Sequence, residues 1–553
     1  MKYHLIFMLL FSGLKGEYVP GTPGGEWTLG ELLKVRAKLW RIFADDEARN
    51  IYLATPNIRQ ETGFPTGDDN EKPGLEHFAA KLLRLSFHDC LRYADKTGGC
   101  DGCLNWKGME ERFTERTKFK FKYPDITEGN NNGLEYTVAL MELLYTDKSY
   151  PPRTPILSES LKSSGKSRAD LWAYAAKVAV EFSIEQNNFQ CDNNPTNWDG
   201  SYVGKTIDCH RSMSEPNCKV VLPREIKFQY GRKDCVSGDL EKPYKAVKEE
   251  VHPNPEGNGT DTINFLKSQF DFNGRETVAI LGGHTLGKMH PIFSLLKYTW
   301  TSRGGHMFNN AYYRNIVSKD DWFIEASDNG KCNHIGDAKG NLPDTKWVPT
   351  MNGFTESGGP MHWIKMHFAC PNCYNKMSSS SKSAEFERCC EGKPKDLMCK
   401  PDNATRNDVD DIQGCEEYRF AFGLDEMTIN AEIGLYFDFE QKNGIPTDCS
   451  GLTDFKMENW KTGKNRKKYR RAYHHNCPLN MMREPAEDDP LSTIFETYAD
   501  DQEAWVKDFV PAFEKMMSNG YSHSDLQDAP TSWEGVRCWK QNPKRYKIDC
   551  LVQ

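Results

Sequence analysis

Apolar residues recur at helical spacing along much of the chain. Between Trp27 and Arg49 they fall at Leu32, Leu33, Val35, Leu39, Trp40 and Phe43, a pattern that predicts an amphipathic helix with one face toward a core. A loop rich in Gly, Pro and Asp, Thr62 to Gly74, separates it from a second helical stretch, Leu75 to Leu91. Further helical patterns run over Gly133 to Leu144, Ser167 to Glu185, Thr260 to Phe270, Arg275 to Met289 and Asp500 to Ser518. The run Ala169 to Val180 is apolar nearly all round, so that helix should be buried. Alternating strand patterns are scarce, and the expected class is mostly α.

Three irregular stretches interrupt these helices. Gln190 to Leu222 holds Asn, Pro and three cysteines; Ala326 to Asp425 holds seven cysteines and the tract Ser378 to Ser381. Gln441 to Pro490 contains the basic run Lys461 to Arg471, with seven Lys or Arg in eleven residues. Loops this long within a compact domain need cross-links or a function, and the cysteines can supply cross-links. The basic run could dock a polyanionic extracellular matrix, although a solvated loop is the plainer reading.

Composition narrows the class. The chain has 553 residues, 38% hydrophobic and 27% charged, with a net charge of −8. That is enough apolar material for a core, and the acidity argues against nucleic acid as a partner. No apolar run reaches the 18 or more residues of a membrane span. Lys2 and His4 precede the apolar run Leu5 to Phe11 and then small residues, which reads as a secretory signal peptide over residues 1–16, cleaved near Gly16. The alternative is a buried N-terminal helix. An exported chain with 18 cysteines is expected to hold disulfides. Two glycosylation acceptors, at Asn258 and Asn403, fit that compartment. Cys370, Cys373, Cys389 and Cys390 could be read as a zinc site, but in a secreted chain disulfides are the better reading.

Two segments carry candidate chemistry. In the first, Lys81 to Cys90, Arg84 and His88 stand at i and i+4 among Leu82, Leu83, Leu85 and Phe87. On a helix they share one face, and a cation beside a proton acceptor suits a reaction that moves a proton and develops negative charge. The second, Val278 to Gly287, ends a helix in Gly282-Gly283-His284. Such an ending lets a flat group approach the backbone and presents one imidazole to it, as a proximal haem histidine requires. Each segment alone is also what an ordinary capped helix with an incidental histidine would show.

Together they resemble the haem peroxidase superfamily of plants, fungi and bacteria, the non-animal one. Arg84, Phe87, His88 and Asp89 match its distal signature, and Ala279 to Gly287 its proximal one. Asn131-Asn132-Gly133-Leu134, Ser167 with Ala169-Asp170-Leu171, and Gly231-Arg232-Lys233-Asp234 match further landmarks in the same order. Glu496 to Gln502, followed by Phe509 to Gly520, looks like the C-terminal helix of the cytochrome c peroxidase and ascorbate peroxidase branch.

The resemblance implies a two-lobed helical fold with haem b between the lobes. The distal lobe would span residues 25–235 with an insertion at 190–222. The proximal lobe would span 236–325 and 426–525 with insertions at 326–425 and 441–490, and 526–553 would form a tail. It also implies roles. His88 would take a proton from hydrogen peroxide and return it to the departing oxygen, Arg84 would stabilise the negative charge, and Asn131 would orient His88. His284 would be the axial iron ligand, with Phe87 and Trp300 beside the haem. The best local fit to the family's proximal Asp pattern is Ile429 to Leu435, which places Glu432 where Asp is expected; the alternative is that Glu432 is a solvated helix residue. Trp300 lies at the spacing of the proximal tryptophan of the intracellular branch. Phe87 stands where that branch carries a distal Trp, which argues against strong catalase activity. Phe293 stands where ascorbate peroxidases carry an Arg, which argues against ascorbate.

The resemblance further implies a Cys90–Cys100 disulfide and a distal calcium site built from Asp89, Gly99 and Asp101. Cys103 replaces the usual Ser ligand there, and sulfur is a poor partner for a hard cation. A proximal cation site fits less well: Thr285 and Thr301 match it, but Arg303 and Asn309 stand where neutral and acidic ligands are expected, and a guanidinium could replace the ion. The expected function is a secreted haem peroxidase that reduces hydrogen peroxide and oxidises phenolic, tyrosine-like or other one-electron donors. The rival is an inactive peroxidase-like extracellular scaffold. The intact set Arg84, His88, Asn131 and His284 argues against the rival.

Overall fold

The protein is described by a computed structural model over residues 19–44, 76–104, 131, 134–193, 221, 225–236, 251–255, 257–287, 300–301, 307–317, 322–326, 361–365, 426–438, 441–442, 445–446, 480–481, 485–486, 489–522 and 524–530. The expected signal peptide, Phe293, Arg303, the Cys370 to Cys390 group, Asn403, the run Lys461 to Arg471 and most of the three irregular stretches lie outside these residues.

Helix α1 (Leu29–Ala44) opens on a reciprocal cap. The Thr28 hydroxyl accepts from the Glu31 N–H at 3.2 Å, and the Glu31 carboxylate accepts from the Thr28 N–H at 2.9 Å. Its expected apolar face, including Leu32, Val35, Leu39, Trp40 and Phe43, is buried. Helices α2 (Glu76–Asp89) and α3 (Glu135–Thr146) follow. Both they and α1 pack on α4 (Arg168–Asn193). Leu171 to Val180 of α4 is buried throughout, Lys177 included, as its all-round apolar pattern requires. The Lys177 ammonium is tolerated there because it pairs with Glu181, which also takes Arg36 of α1 at 2.6 Å.

Two of the motifs meet at the start of α4. The Ser167 hydroxyl accepts from the Asp170 N–H at 3.0 Å, and Asp234 accepts from the N–H groups of Arg168 and Ala169 at 3.0 and 2.9 Å. These acceptors satisfy donors that a helix N-terminus leaves open. Asp170 in turn accepts from the Gly231 and Arg232 N–H groups and from the Arg232 guanidinium at 3.0 Å. The Ser167 to Leu171 and Gly231 to Asp234 segments therefore close on one buried ion pair.

Helices α5 (Gly259–Phe270) and α6 (Gly274–Leu281) each begin with a capping box, Asn258 with Asp261 and Asn273 with Glu276. The predicted helix from Arg275 does not run on to Met289. It ends at Leu281 and tightens into a 3₁₀ turn over Gly282–Thr285, since two successive glycines weaken helix continuation. Helix α7 (Ala311–Val317) and the single turn α8 (Asn430–Ile433) were not distinguished by periodicity because they are short. The C-terminal helix is two: α9 (Leu491–Asp500) and α10 (Gln502–Met517). The break falls at Asp501, whose carboxylate accepts from the N–H groups of Glu503 and Ala504 and so caps α10. No described helix is long and apolar enough to cross a membrane.

Strands are short. β1 (Val19–Pro23) pairs antiparallel with β3 (Lys233–Val236), and β2 (Gln229–Tyr230) pairs with Gln527–Asp528, which ties part of the expected tail back onto the body. An antiparallel sheet of β4 (Trp322–Ala326), β5 (Met361–Lys365) and β6 (Glu426–Thr428) brackets the seven-cysteine stretch. β5 lies within that stretch, which was expected to be irregular; five residues are too few for alternation to stand out.

Candidate active site

The proximal imidazole is placed by the way α6 ends. Carbonyls freed at its last turn are taken by side chains from elsewhere: Tyr313 donates to the Val278 oxygen at 2.8 Å, and the Trp505 indole to the Ala279 oxygen at 3.0 Å. Those groups crowd Gly282, where a Cβ would lie 2.3 Å from the Tyr313 hydroxyl and 2.5 Å from the Trp505 nitrogen. Only glycine fits. The chain then turns through buried Gly283, while the His284 side chain remains 39% exposed.

His284 Nδ1 bonds to Glu432 Oε1. The Glu432 carboxylate is almost fully buried and is held by three more donors: Tyr312 at 3.3 Å, the Thr428 hydroxyl at 3.2 Å and the Ile429 N–H at 3.4 Å. Trp300 stacks on the His284 ring with centroids 4.2 Å apart and planes 8° apart. Tyr312 is the residue that sequence reasoning missed. Its phenol is fully buried, and burial together with the neighbouring Glu432 carboxylate pushes its pKa well above the usual value. It remains a donor. Two adjacent tyrosines in a helix read as ordinary core, so nothing local pointed to Glu432.

The distal imidazole sits on the last turn of α2. Ala79, Leu82 and Leu85 bury one face of this helix, and Arg84 stays half-buried one turn before His88. His88 Nδ1 lies 2.8 Å from Asn131 Oδ1. The amide oxygen only accepts, so Nδ1 carries the proton and Nε2 is left as a base. Burial, then the Arg84 guanidinium and then His252 lower the His88 pKa well below its usual value, with Asn131 opposing. His88 is therefore neutral at ordinary pH. Phe87 packs against Phe270 with centroids 5.6 Å apart. The His252 ring lies 5.0 Å from the His88 ring, a neighbour the sequence gave no reason to expect.

The expected calcium ligands come together, but not as a hard-cation site. Asp89 accepts from the Gly102 and Cys103 N–H groups at 2.8 and 3.1 Å, and Asp101 accepts from the Tyr93 hydroxyl at 3.0 Å. Gly99, at φ +116°, lies so close to Asn519 that a Cβ would meet its carbonyl oxygen at 2.4 Å. Cys103 is bonded to Cys235, beside the expected Cys90–Cys100 bridge. Calcium wants six to eight oxygens, and here amide donors and a disulfide occupy those places. Burial and the adjacent Asp101 carboxylate instead push the Asp89 pKa well above the usual carboxylate range. The donor set does not fit calcium, which corrects the expectation for Asp89, Gly99 and Asp101. Of the proximal set, Arg303 lies outside the described residues, and the other members bond to neutral groups. Thr285 donates toward the Met307 and Asn309 oxygens, Thr301 donates to the Thr285 carbonyl, and Asn309 donates to Asn187 at 3.0 Å. All are neutral and engage one another. The acceptor at Asn258 is the N-cap of α5, its oxygen 2.9 Å from the Asp261 N–H.

The haem expectation passes the same test. His284 Nδ1 is spent on a carboxylate, so Nε2 is the free ligating nitrogen, and the ring is half-open although Gly282, Gly283 and Thr285 around it are buried.

The peroxidase family model matches residues 74–331. The chain is similar to the mitochondrial cytochrome c peroxidase of Candida glabrata, 30% identical over 125 residues, 23% of this chain and 33% of that protein. It is similar to the peroxisomal L-ascorbate peroxidase 5 of Arabidopsis thaliana, 26% identical over 238 residues, 43% of this chain and 57% of that protein. To the cytosolic L-ascorbate peroxidase 2 of the same plant it is 31% identical over 90 residues, 15% of this chain and 36% of that protein. The chain thus spans less than two thirds of the length of each of these relatives. The matched span, a little under half of the chain, contains Arg84, His88, Asn131, His284 and Trp300, and over it the chain is similar to the peroxidase family.

Proposed function

We propose that this protein is a secreted haem peroxidase that reduces hydrogen peroxide and oxidises one-electron donors of the phenolic or tyrosine type. The observation that carries the reading is the pair of differently held imidazoles, His284 on Glu432 and His88 on Asn131. His284 Nε2 would hold the iron of haem b, with Trp300 and Phe87 beside it; the bound haem supplies the electrons that split the oxygen–oxygen bond.

The chain's own groups handle protons and charge. His88 Nε2 takes a proton from hydrogen peroxide and returns it to the oxygen that leaves as water. Arg84 stabilises the negative charge that develops in between. Asn131 keeps His88 in the tautomer that can do this, and Glu432 keeps His284 electron-rich.

Distal residues 25–235 and proximal residues 236–325 and 426–525 would form two lobes around the haem. The Cys90–Cys100 and Cys103–Cys235 bridges support an oxidising, extracellular setting, which the leader expected at 1–16 would serve. The compartments in the relatives' names belong to those proteins. Docking of Lys461 to Arg471 on extracellular matrix belongs to the same reading. The test is a Soret band in the purified protein that disappears in His284→Ala, with peroxide-dependent oxidation of phenols and tyrosine but slow turnover of ascorbate. A purified protein unable to take up haem would make it a peroxidase-like scaffold instead.

A further inference from the structure

His252 is not used by the mechanism above, yet it is held firmly beside His88. It precedes Pro253, a position biased toward extended backbone, and Pro255 follows two residues later. The segment is tied at both ends. The Val251 N–H donates to the Arg92 carbonyl at 3.3 Å, four residues past His88, and the Ala431 N–H donates to the Pro255 carbonyl at 3.3 Å, next to Glu432. The arm that carries His252 therefore bridges the distal loop and the turn that holds the proximal carboxylate.

The two rings lie 5.0 Å apart and tilted by 54°. His88 is buried, whereas His252 is half-buried. Peroxide reduction to two water molecules consumes two protons along with two electrons, and a buried base cannot exchange them with bulk water unaided. Among the described residues, the other charged or titratable groups that act on His88 are Arg84 on α2 and, more distantly, His284; neither suits proton delivery, since Arg84 keeps its proton and His284 Nδ1 is committed to Glu432.

We propose that His252 is a proton-relay residue that passes protons between solvent and His88. One imidazole nitrogen takes a proton from the water side as the other gives one up toward His88, so the ring ends each transfer neutral. His252 acts through His88 and is a positioning and relay residue rather than a catalytic one. The inference rests on the peroxidase reading, so wild-type haem uptake and turnover are checked first; their absence overturns that reading, not this one.

The test compares haem-loaded full-length wild type with His252→Ala and His252→Gln. Two readouts are followed between pH 4 and 8: the rate with hydrogen peroxide, and the rate of cyanide binding, in which HCN must surrender its proton to the distal base without turnover. Both rates are expected to fall about tenfold or more in both variants, to recover with added imidazole in His252→Ala, and to change their pH profiles. Wild-type rates and profiles in both variants would overturn the relay. So would slow rates that imidazole leaves unchanged and His252→Gln restores, because an amide of similar length fills space but carries no exchangeable imidazole proton.

Discussion

The two imidazoles of this site share a side chain and differ in what holds Nδ1. His88 faces a neutral amide, lies buried and has Arg84 and His252 for neighbours. Burial, Arg84 and His252 outweigh the Asn131 hydrogen bond and disfavour a second proton, which keeps Nε2 available as a base. His284 faces the Glu432 carboxylate, itself steadied by Tyr312 and Thr428, and is flanked by the parallel Trp300 ring. Everything around it favours electron density at Nε2. The partner at one ring nitrogen assigns the work of the other.

Removing the distal base breaks the comparison most severely. His88→Leu should leave haem bound and lower the rate with peroxide by about 10²–10⁴-fold, the usual contribution of a positioned acid–base group; stopped-flow mixing measures it, and a rate near wild type would mean that His88 is not the base. On the other side, Glu432→Gln keeps the hydrogen bond and removes the charge. Haem affinity or activity should fall by about 10–100-fold, and the reduction potential should rise because a less electron-rich imidazole stabilises the oxidised iron less. Redox titration reads this directly.

Giving the distal ring the proximal kind of partner sharpens the contrast. In Asn131→Asp a carboxylate would favour protonated His88, raising its pKa by about 1–3 units. The wild-type pKa is held below its usual value, so the base form survives into mild acid and activity is lost only as pH falls further. In the variant that loss should begin at higher pH, with the neutral-pH rate reduced as well. An unmoved acid limb would show that another group controls it.

Much of this contrast was legible in the sequence, and the reason differs by residue. Arg84 and His88 are four apart on one helix, and the Gly282-Gly283-His284 ending is local, so spacing alone placed them on a face and at a turn. Asn131 and Glu432 were reached through resemblance, although Glu432 lies 148 residues from its partner. Tyr312 and His252 were missed because each looks ordinary in its own segment and meets the site only when the chain closes. The Cys103–Cys235 bridge spans 132 residues, and cysteine spacing does not fix pairing. The helix existence and type were largely visible; the end of α6 is braced by side chains from other helices, and the break at Asp501 rests on a local cap that the helical periodicity ran across.

The smallest expected effect concerns what fastens the distal loop to the body. With Asp89 holding its proton in the folded chain and shedding it when unfolded, its contribution to stability is greatest in acid, near and below the unfolded pKa of about 3.9. That contribution is lost as pH rises toward the raised folded value. Asp89→Asn keeps an oxygen for the Gly102 and Cys103 N–H groups and removes the ionisable group whose burial costs stability at neutral pH. It should raise the melting temperature at neutral pH by about 2–4 °C, what roughly 1 kcal/mol gives in a large chain. Chelation by EDTA should leave wild type unmoved. A calcium-fastened loop predicts the reverse on both counts, so a calorimetric scan of the two proteins with and without EDTA decides whether a cation or the disulfide with its buried carboxyl group braces the helix that carries His88.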